Sequence, residues 1–544
     1  MIGWTEWLAS RRGDARQQDQ QQSCQPRTRA SGVRAAAHPR DAGCPARNRR
    51  PRPCCGSNNR PARIAARHAA GACMRHAPRD PIARRDAHRA RWFETCVVVG
   101  ARVVPRIRSD LIDFHPTMTL LPLRGRAART LLAAALAVSS LPSHAAAPGR
   151  VPAPDPLQGD GRVSAFYTWD RDVPATPGVL LRSEPLPATL GLASAGRQLR
   201  ILYASTDGVG GRTPIAVSGA LFVPRGTPPA GGWPIVAWAH GTFGMADICA
   251  PSWFGRSYRD VRYLNAWLQQ GFAVVATDYQ GLGTPGPNPQ LNNRSNSYTL
   301  LDSVRAVLGG VPGLANAVVL VGQSQGGSAV VAAAGYAPVY APELAIRATV
   351  ATGTIYNASP ATLASLPKFE TAYRRDPDRV DPTLAYQFYS VLSAQQIDPA
   401  LRADEVLTDR ALPLLEQARI SCLASLEDDA ALAHLTHANT VKPGGDARLK
   451  AWWDAYLTYP TLKLATPVFI GAGADDGLAP LELALAKDAC AAGTTVEAHL
   501  YAGREHNGTV NASLADSIPF VKRVLAGETI RPVCTPAPQQ ATAQ

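Results

Sequence analysis

The stretch VVLVGQSQGGSAV, from Val318 to Val330, holds Ser324 between Gly322 and Gly326, where an apolar run gives way to small residues. Gly-x-Ser-x-Gly between a strand and a helix describes a sharp turn that presents a serine oxygen clear of the chain. Such a turn strains the serine backbone by about 1–3 kcal/mol and leaves no room for side chains two residues to either side. A hydroxyl held this way becomes a nucleophile when a base takes its proton and a third group orients that base.

In an α/β architecture those partners follow in the order acid, then histidine. PVFIGAGADDGLAP ends an apolar run at Asp475 and Asp476. Asp476 is the preferred acid because it opens a short turn before a helix, and Asp475 is the alternative. VEAHLYAGREHNG then carries His506 in the loop after a last strand. His499 lies inside that strand, which suits packing. His434 and His437 come before the acid, in the wrong order. The developing oxyanion needs two fixed donors. One is the Gln325 amide, at the start of the helix. The other is Thr242, in the loop WAHGTFG, with Gly241 as the alternative and His240 as a packed brace.

These residues need strands to deliver them. WPIVAWAH, FAVVATDY, AVVLVGQS and PVFIGAGADD are apolar throughout, as parallel strands covered on both faces are. Helical patterns separate them, near Arg259–Gln270, Leu300–Leu308, Gly327–Ala334 and Leu481–Ala492. The alternation predicts a three-layer α/β domain. QLRILYAS and PIAVSGALFV, joined by a glycine turn, predict an antiparallel pair at its edge. The core is expected over residues 196–354 and 461–530. Residues 355–460 show helical patterns and no good central strand, so they are expected to form an inserted helical cap. Residues 148–195 are expected to be an extended leader, and 531–544 a tail.

The net charge of +14 belongs to one segment. Residues 1–117 hold 23 arginines and 9 acidic residues, and the rest of the chain is balanced. That segment lacks apolar periodicity and cannot bury enough surface to offset its chain entropy. Residues 118–147 begin at Met118, with three arginines, a short apolar core and an alanine-rich exit. This is the anatomy of a secretory signal, too short to span a bilayer as a mature helix. The expectation is that residues 1–117 are disordered or are translated upstream of the true start. Nucleic-acid binding through them is then not expected. Four of the ten cysteines remain, Cys249, Cys422, Cys490 and Cys534, an even number that suits two disulfides in an exported protein. No Cys/His cluster has metal spacing, and the glycine-rich YQGLGTPG lacks the pattern for dinucleotides or nucleoside triphosphates. It is expected to line the site, and no cofactor or metal is expected.

VAWAHGTFGMADICAPS, ATDYQGLGTPG, VGQSQGGSAVVAAAGYAPVYAPEL, PVFIGAGADDGLAP and REHNG together resemble the secretory lipases of the α/β-hydrolase superfamily, the lipase A-type enzymes, over about residues 190–527. The resemblance implies an α/β-hydrolase fold with a mostly parallel sheet. It also implies hydrolysis of carboxylic esters, often acylglycerols, by a Ser-Asp-His triad without a cofactor. It pairs Cys249 with Cys422, and hence Cys490 with Cys534. The family's acid more often precedes Val-Val-Pro, which this chain lacks.

The expected function is therefore that of a secreted or periplasmic lipase or esterase. Its expected partner is a small-molecule or lipid ester, with contact at a lipid–water interface. The alternatives are a serine peptidase or amidase on the same fold, or a hydrolase-like protein that only binds. Cap aromatics Phe388, Tyr389, Trp452 and Trp453 either line an acyl tunnel or form the cap's own core.

Overall fold

The computed structural model describes residues 150–366 and 378–540. The segments 1–117 and 118–147 lie outside the described residues, as do residues 367–377 of the expected cap.

Ten strands form one sheet: β1 (Leu180–Pro185), β2 (Ala195–Thr206), β3 (Pro214–Pro224), β4 (Trp233–Ala239), β5 (Ala273–Thr277), β6 (Leu314–Gln323), β7 (Ile346–Thr352), β8 (Val468–Gly473), β9 (Val496–Ala502) and β10 (Pro538–Gln540). Their order across the sheet is β1-β2-β3-β5-β4-β6-β7-β8-β9-β10. The β1/β2, β2/β3 and β3/β5 pairs are antiparallel. From β5 to β10 every pair is parallel. The sequence predicts the apolar strands because each is buried on both faces. Every residue of β5 and of β8 is buried. β1 and β10 escape a sequence reading, since one lies in the expected leader and the other in the expected tail.

Two apolar cores follow from burial on both sides. One gathers Ile201, Leu221, Ile235, Leu320 and Ile470 with the helices Asn293–Gly310 and Gln325–Tyr340. The other gathers Phe222, Trp238, Val321 and Phe469 with the helices Tyr258–Gln269 and Leu514–Leu525. Each fully buried large apolar side chain contributes about 1.5–3 kcal/mol.

Between β7 and β8 the chain leaves the sheet. Its larger helices there are Ala385–Ile397, Leu412–Ala418, Leu423–Leu432 and Lys450–Tyr456. They bury an apolar cluster of their own, centred on Phe388, Tyr389, Leu415, Leu426 and Trp452, which reaches Met245 and Leu291 on the sheet side. Cys249 and Cys422 tie this insertion to the loop after β4, with Cα atoms 5.4 Å apart. Cys490 and Cys534 stand at disulfide distance as well, at 6.0 Å. Among the described residues no helix is long and apolar enough to cross a membrane.

Candidate active site

Ser324 follows the last residue of β6 and caps the helix Gln325–Tyr340. Its φ of 58° and ψ of −120° are strained for a residue with a side chain. The flanking glycines are required by contact. A Cβ at Gly322 would sit 2.1 Å from the Gly326 carbonyl oxygen, and one at Gly326 would sit 1.9 Å from that of Ala239. The Ser324 N–H donates to the Thr352 carbonyl at 2.9 Å, which anchors the turn to β7. The serine side chain makes no capping hydrogen bond, so its oxygen is not spent on the helix.

Asp476 and His506 arrive from the next two strand ends. His506 Nδ1 lies 2.7 Å from Asp476 Oδ2. The other Asp476 oxygen accepts from the Leu478 N–H at 2.9 Å, which fixes the carboxylate. Asp475 has no such contact with the ring, and its N–H donates to the Arg504 carbonyl at 3.0 Å. Glu505 caps the short helix His506–Ala512, accepting from the amides of Asn507 and Gly508 at 2.8 and 2.7 Å. The ring therefore sits at the first position of a helix whose start is pinned.

With Nδ1–H donating to Asp476, Nε2 carries the lone pair. No hydrogen bond joins Nε2 to Ser324 Oγ among the described residues. Nε2 faces the Gln323 side-chain nitrogen at 3.0 Å. Ser324, Asp476 and His506 line one cavity of about 500 Å³. Its apolar wall includes Leu291, Ile355, Leu384, Leu449, Trp452 and Trp453. Phe388 and Tyr389 are fully buried in the insertion's own cluster and do not line the cavity, whereas Trp453 lines it and Trp452 belongs to both.

The loop after β4 runs beside the serine. A Cβ at Gly241 would lie 3.4 Å from the Ser324 Cβ. Thr242 Oγ1 donates to Gln325 Oε1 at 3.1 Å and accepts from Gln290 at 3.0 Å. The Gln325 N–H is the first of its helix and has no intrahelical acceptor. His240 is buried, its ring 4.4 Å from that of Tyr279 and edge-on to Phe243. Burial holds its pKa below the usual histidine value. The Tyr279 hydroxyl donates to the His240 carbonyl at 2.9 Å. The YQGLGTPG stretch thus braces the loop, and Gln290 and Leu291 line the cavity in its place. His499 packs on Phe469, and His437 lies 3.6 Å from Asp446 in the insertion.

Three features of the site have no local sequence signal. Gly353, at φ +61°, supports the imidazole, because a Cβ there would lie 2.6 Å from His506 Cε1. Gln323 meets Nε2 of His506. Glu482 is fully buried, and burial, then the charge of Asp476, raises its pKa well above the usual carboxyl value. It lies near the amides of Gly353 and Thr354 yet forms no hydrogen bond of normal geometry.

Residues 258–365 match the family described as Secretory lipase. No curated protein matched the sequence. Among solved structures, Candida antarctica lipase A in its closed state is similar at 21% identity and a TM-score of 0.54, over 70% of this chain and 89% of that one. The G231F mutant of the rice cell wall degrading esterase LipA from Xanthomonas oryzae is similar at 20% identity and a TM-score of 0.51, over 65% of this chain and 100% of that one. Likenesses at such identity speak to the fold. This chain has the α/β-hydrolase fold, and residues 258–365 match the Secretory lipase family.

Proposed function

We propose that this chain is an exported serine hydrolase of carboxylic esters that works through Ser324, His506 and Asp476 and an acyl-enzyme. The observation that carries the reading is the 2.7 Å contact between His506 and Asp476 in the cavity that also holds Ser324 on its strained turn. Asp476 fixes the tautomer in which Nε2 is the base. Ser324 Oγ attacks the ester carbonyl as Nε2 takes its proton. The oxyanion then faces the amides of Gln325 and Thr242, each donor being worth about 2.7–4 kcal/mol in such sites. The imidazolium returns the proton to the departing alcohol. Water repeats the sequence on the acyl-enzyme and frees the acid. The apolar wall from Leu291 to Trp453 suits an acyl chain, and both structural relatives are esterases or lipases by name. The two disulfides suit an oxidising compartment.

The test is hydrolysis of p-nitrophenyl esters of graded chain length by the parent and by Ser324→Ala. The expected result is turnover by the parent and a loss of about 10⁶-fold in kcat for the variant. A Ser324→Ala protein as active as the parent would remove the assignment.

A further inference from the structure

Gln323 is 1% exposed and sits in a slot made by two glycines. Its Oε1 lies 2.6 Å from where a Cβ of Gly241 would be, and its Nε2 lies 3.2 Å from where a Cβ of Gly353 would be. Any side chain at either place would displace the carboxamide. The slot holds the carboxamide against the ring, with its nitrogen 3.0 Å from His506 Nε2. The opposite orientation would set an oxygen lone pair against the lone pair of Nε2, because Nδ1–H is committed to Asp476.

An amide N–H can donate to a neutral imidazole and has nothing to offer an imidazolium. Nε2 has one lone pair, so the Ser324 O–H reaches it only as the amide gives it up, and once Nε2 carries that proton two donors face each other. The contact that held the ring then becomes repulsive, and the new N–H must seek another acceptor. The acceptor on the cavity side is the oxygen of the departing alcohol.

We infer that Gln323 is a positioning residue that holds the lone pair of neutral His506 and rejects the protonated ring, directing its proton to the leaving group. This rests on the hydrolase reading above. It assigns a role to the residue before the nucleophile, a position the motif leaves open.

The charged and titratable groups around the ring come from several elements. Asp475 and Asp476 come from the loop after β8, and Glu482 from the helix Ala479–Ala491. Arg504 and Glu505 precede the ring on its own segment. Arg259, on the helix Tyr258–Gln269, reaches Asn507. Glu427 and His437 line the far wall of the cavity. The tests below leave all of these unchanged.

The experiment compares the parent with Gln323→Met, which removes the donor at similar volume, and Gln323→Glu, which replaces it with an acceptor for imidazolium. Active-site labelling by a fluorophosphonate probe reports a folded, reactive Ser324. Ethyl and p-nitrophenyl butyrate share an acyl group, but only the ethoxide leaving group depends on receiving a proton. For Gln323→Met the loss in kcat/KM is expected to be about tenfold larger on the ethyl ester, a fraction of what general acid catalysis usually contributes. For Gln323→Glu the acid limb of the pH profile is expected to move up by about one pH unit. Equal losses on both esters together with an unmoved acid limb, in proteins that still label, would overturn the inference and leave the hydrolase reading intact. A parent that neither labels at Ser324 nor hydrolyses either ester would overturn both.

Discussion

Gly353 offers a sharp test of how the site is built, because it has no side chain to take part in chemistry. It follows β7 at φ +61°, and the edge of the His506 ring lies against it. In Gly353→Ala the new Cβ would stand 2.6 Å from Cε1 and 3.1 Å from Nδ1 of that ring. Ordinary carbon contact begins near 3.4 Å, so the ring must retreat by about 0.8 Å. It cannot do so freely, since Asp476 holds Nδ1 at 2.7 Å and Glu505 pins the helix start. A displacement approaching 1 Å at a reacting group typically costs about 10²-fold in rate. The left-handed backbone adds a stability cost of about 1–2 kcal/mol for alanine. The expected outcome is a fall in kcat of about 10²-fold with KM little changed, and a melting point lower by only a few degrees. Steady-state kinetics on a p-nitrophenyl ester and a thermal melt of the same preparation measure both. Full activity in Gly353→Ala would refute the placement of the ring, and a collapsed melting point would show that the glycine serves the fold more than the site.

Two further outcomes separate close alternatives. Asp476→Asn is expected to lower kcat by about 10⁴-fold through loss of the tautomer, while Asp475→Asn stays within about twofold of the parent; assay of the two side by side checks the choice. Asp247 lies within the loop after β4, and burial pushes its carboxyl up to about 7. An acid raised in the folded state above its unfolded value near 4 binds its proton more tightly when folded, so stability is lost as pH rises from about 4 to about 7. Asp247→Asn is expected to be more stable than the parent at pH 8, by no more than about 4 kcal/mol and with a correspondingly higher melting point, and to match it at pH 4. Asparagine keeps an acceptor for the Gly161 N–H, which the aspartate receives at 2.8 Å. Melting curves at the two pH values decide it.

Ser324, Asp476 and His506 could be picked out in the sequence because each follows an apolar run within a few residues, and a buried parallel strand announces its own end. Between the two aspartates the sequence offers only a turn pattern, and the choice becomes physical where Oδ2 of Asp476 meets Nδ1. β1 was illegible for a different reason. Its six residues are only half-buried or exposed and gain their place by pairing with β2, so no hydrophobic signal marks them. The cap aromatics were ambiguous because helical spacing says that a face is buried and not against what. Phe388 turns into the cluster, while Trp453 turns to the cavity.

The glycines carry the remaining lesson. Gly322 and Gly326 could be read as steric requirements because the residues they avoid lie within the same turn or at the adjacent strand end. Gly241 and Gly353 avoid Gln323 and His506, residues distant in sequence that meet only when β4, β6 and β7 lie side by side and the segment after β9 folds back over their ends. A site assembled from five strand ends needs its empty spaces as much as its side chains, and those spaces are properties of the sheet order. For this reason the groups proposed to react could be named from the sequence, while Gln323, which meets His506 Nε2, required the assembled sheet.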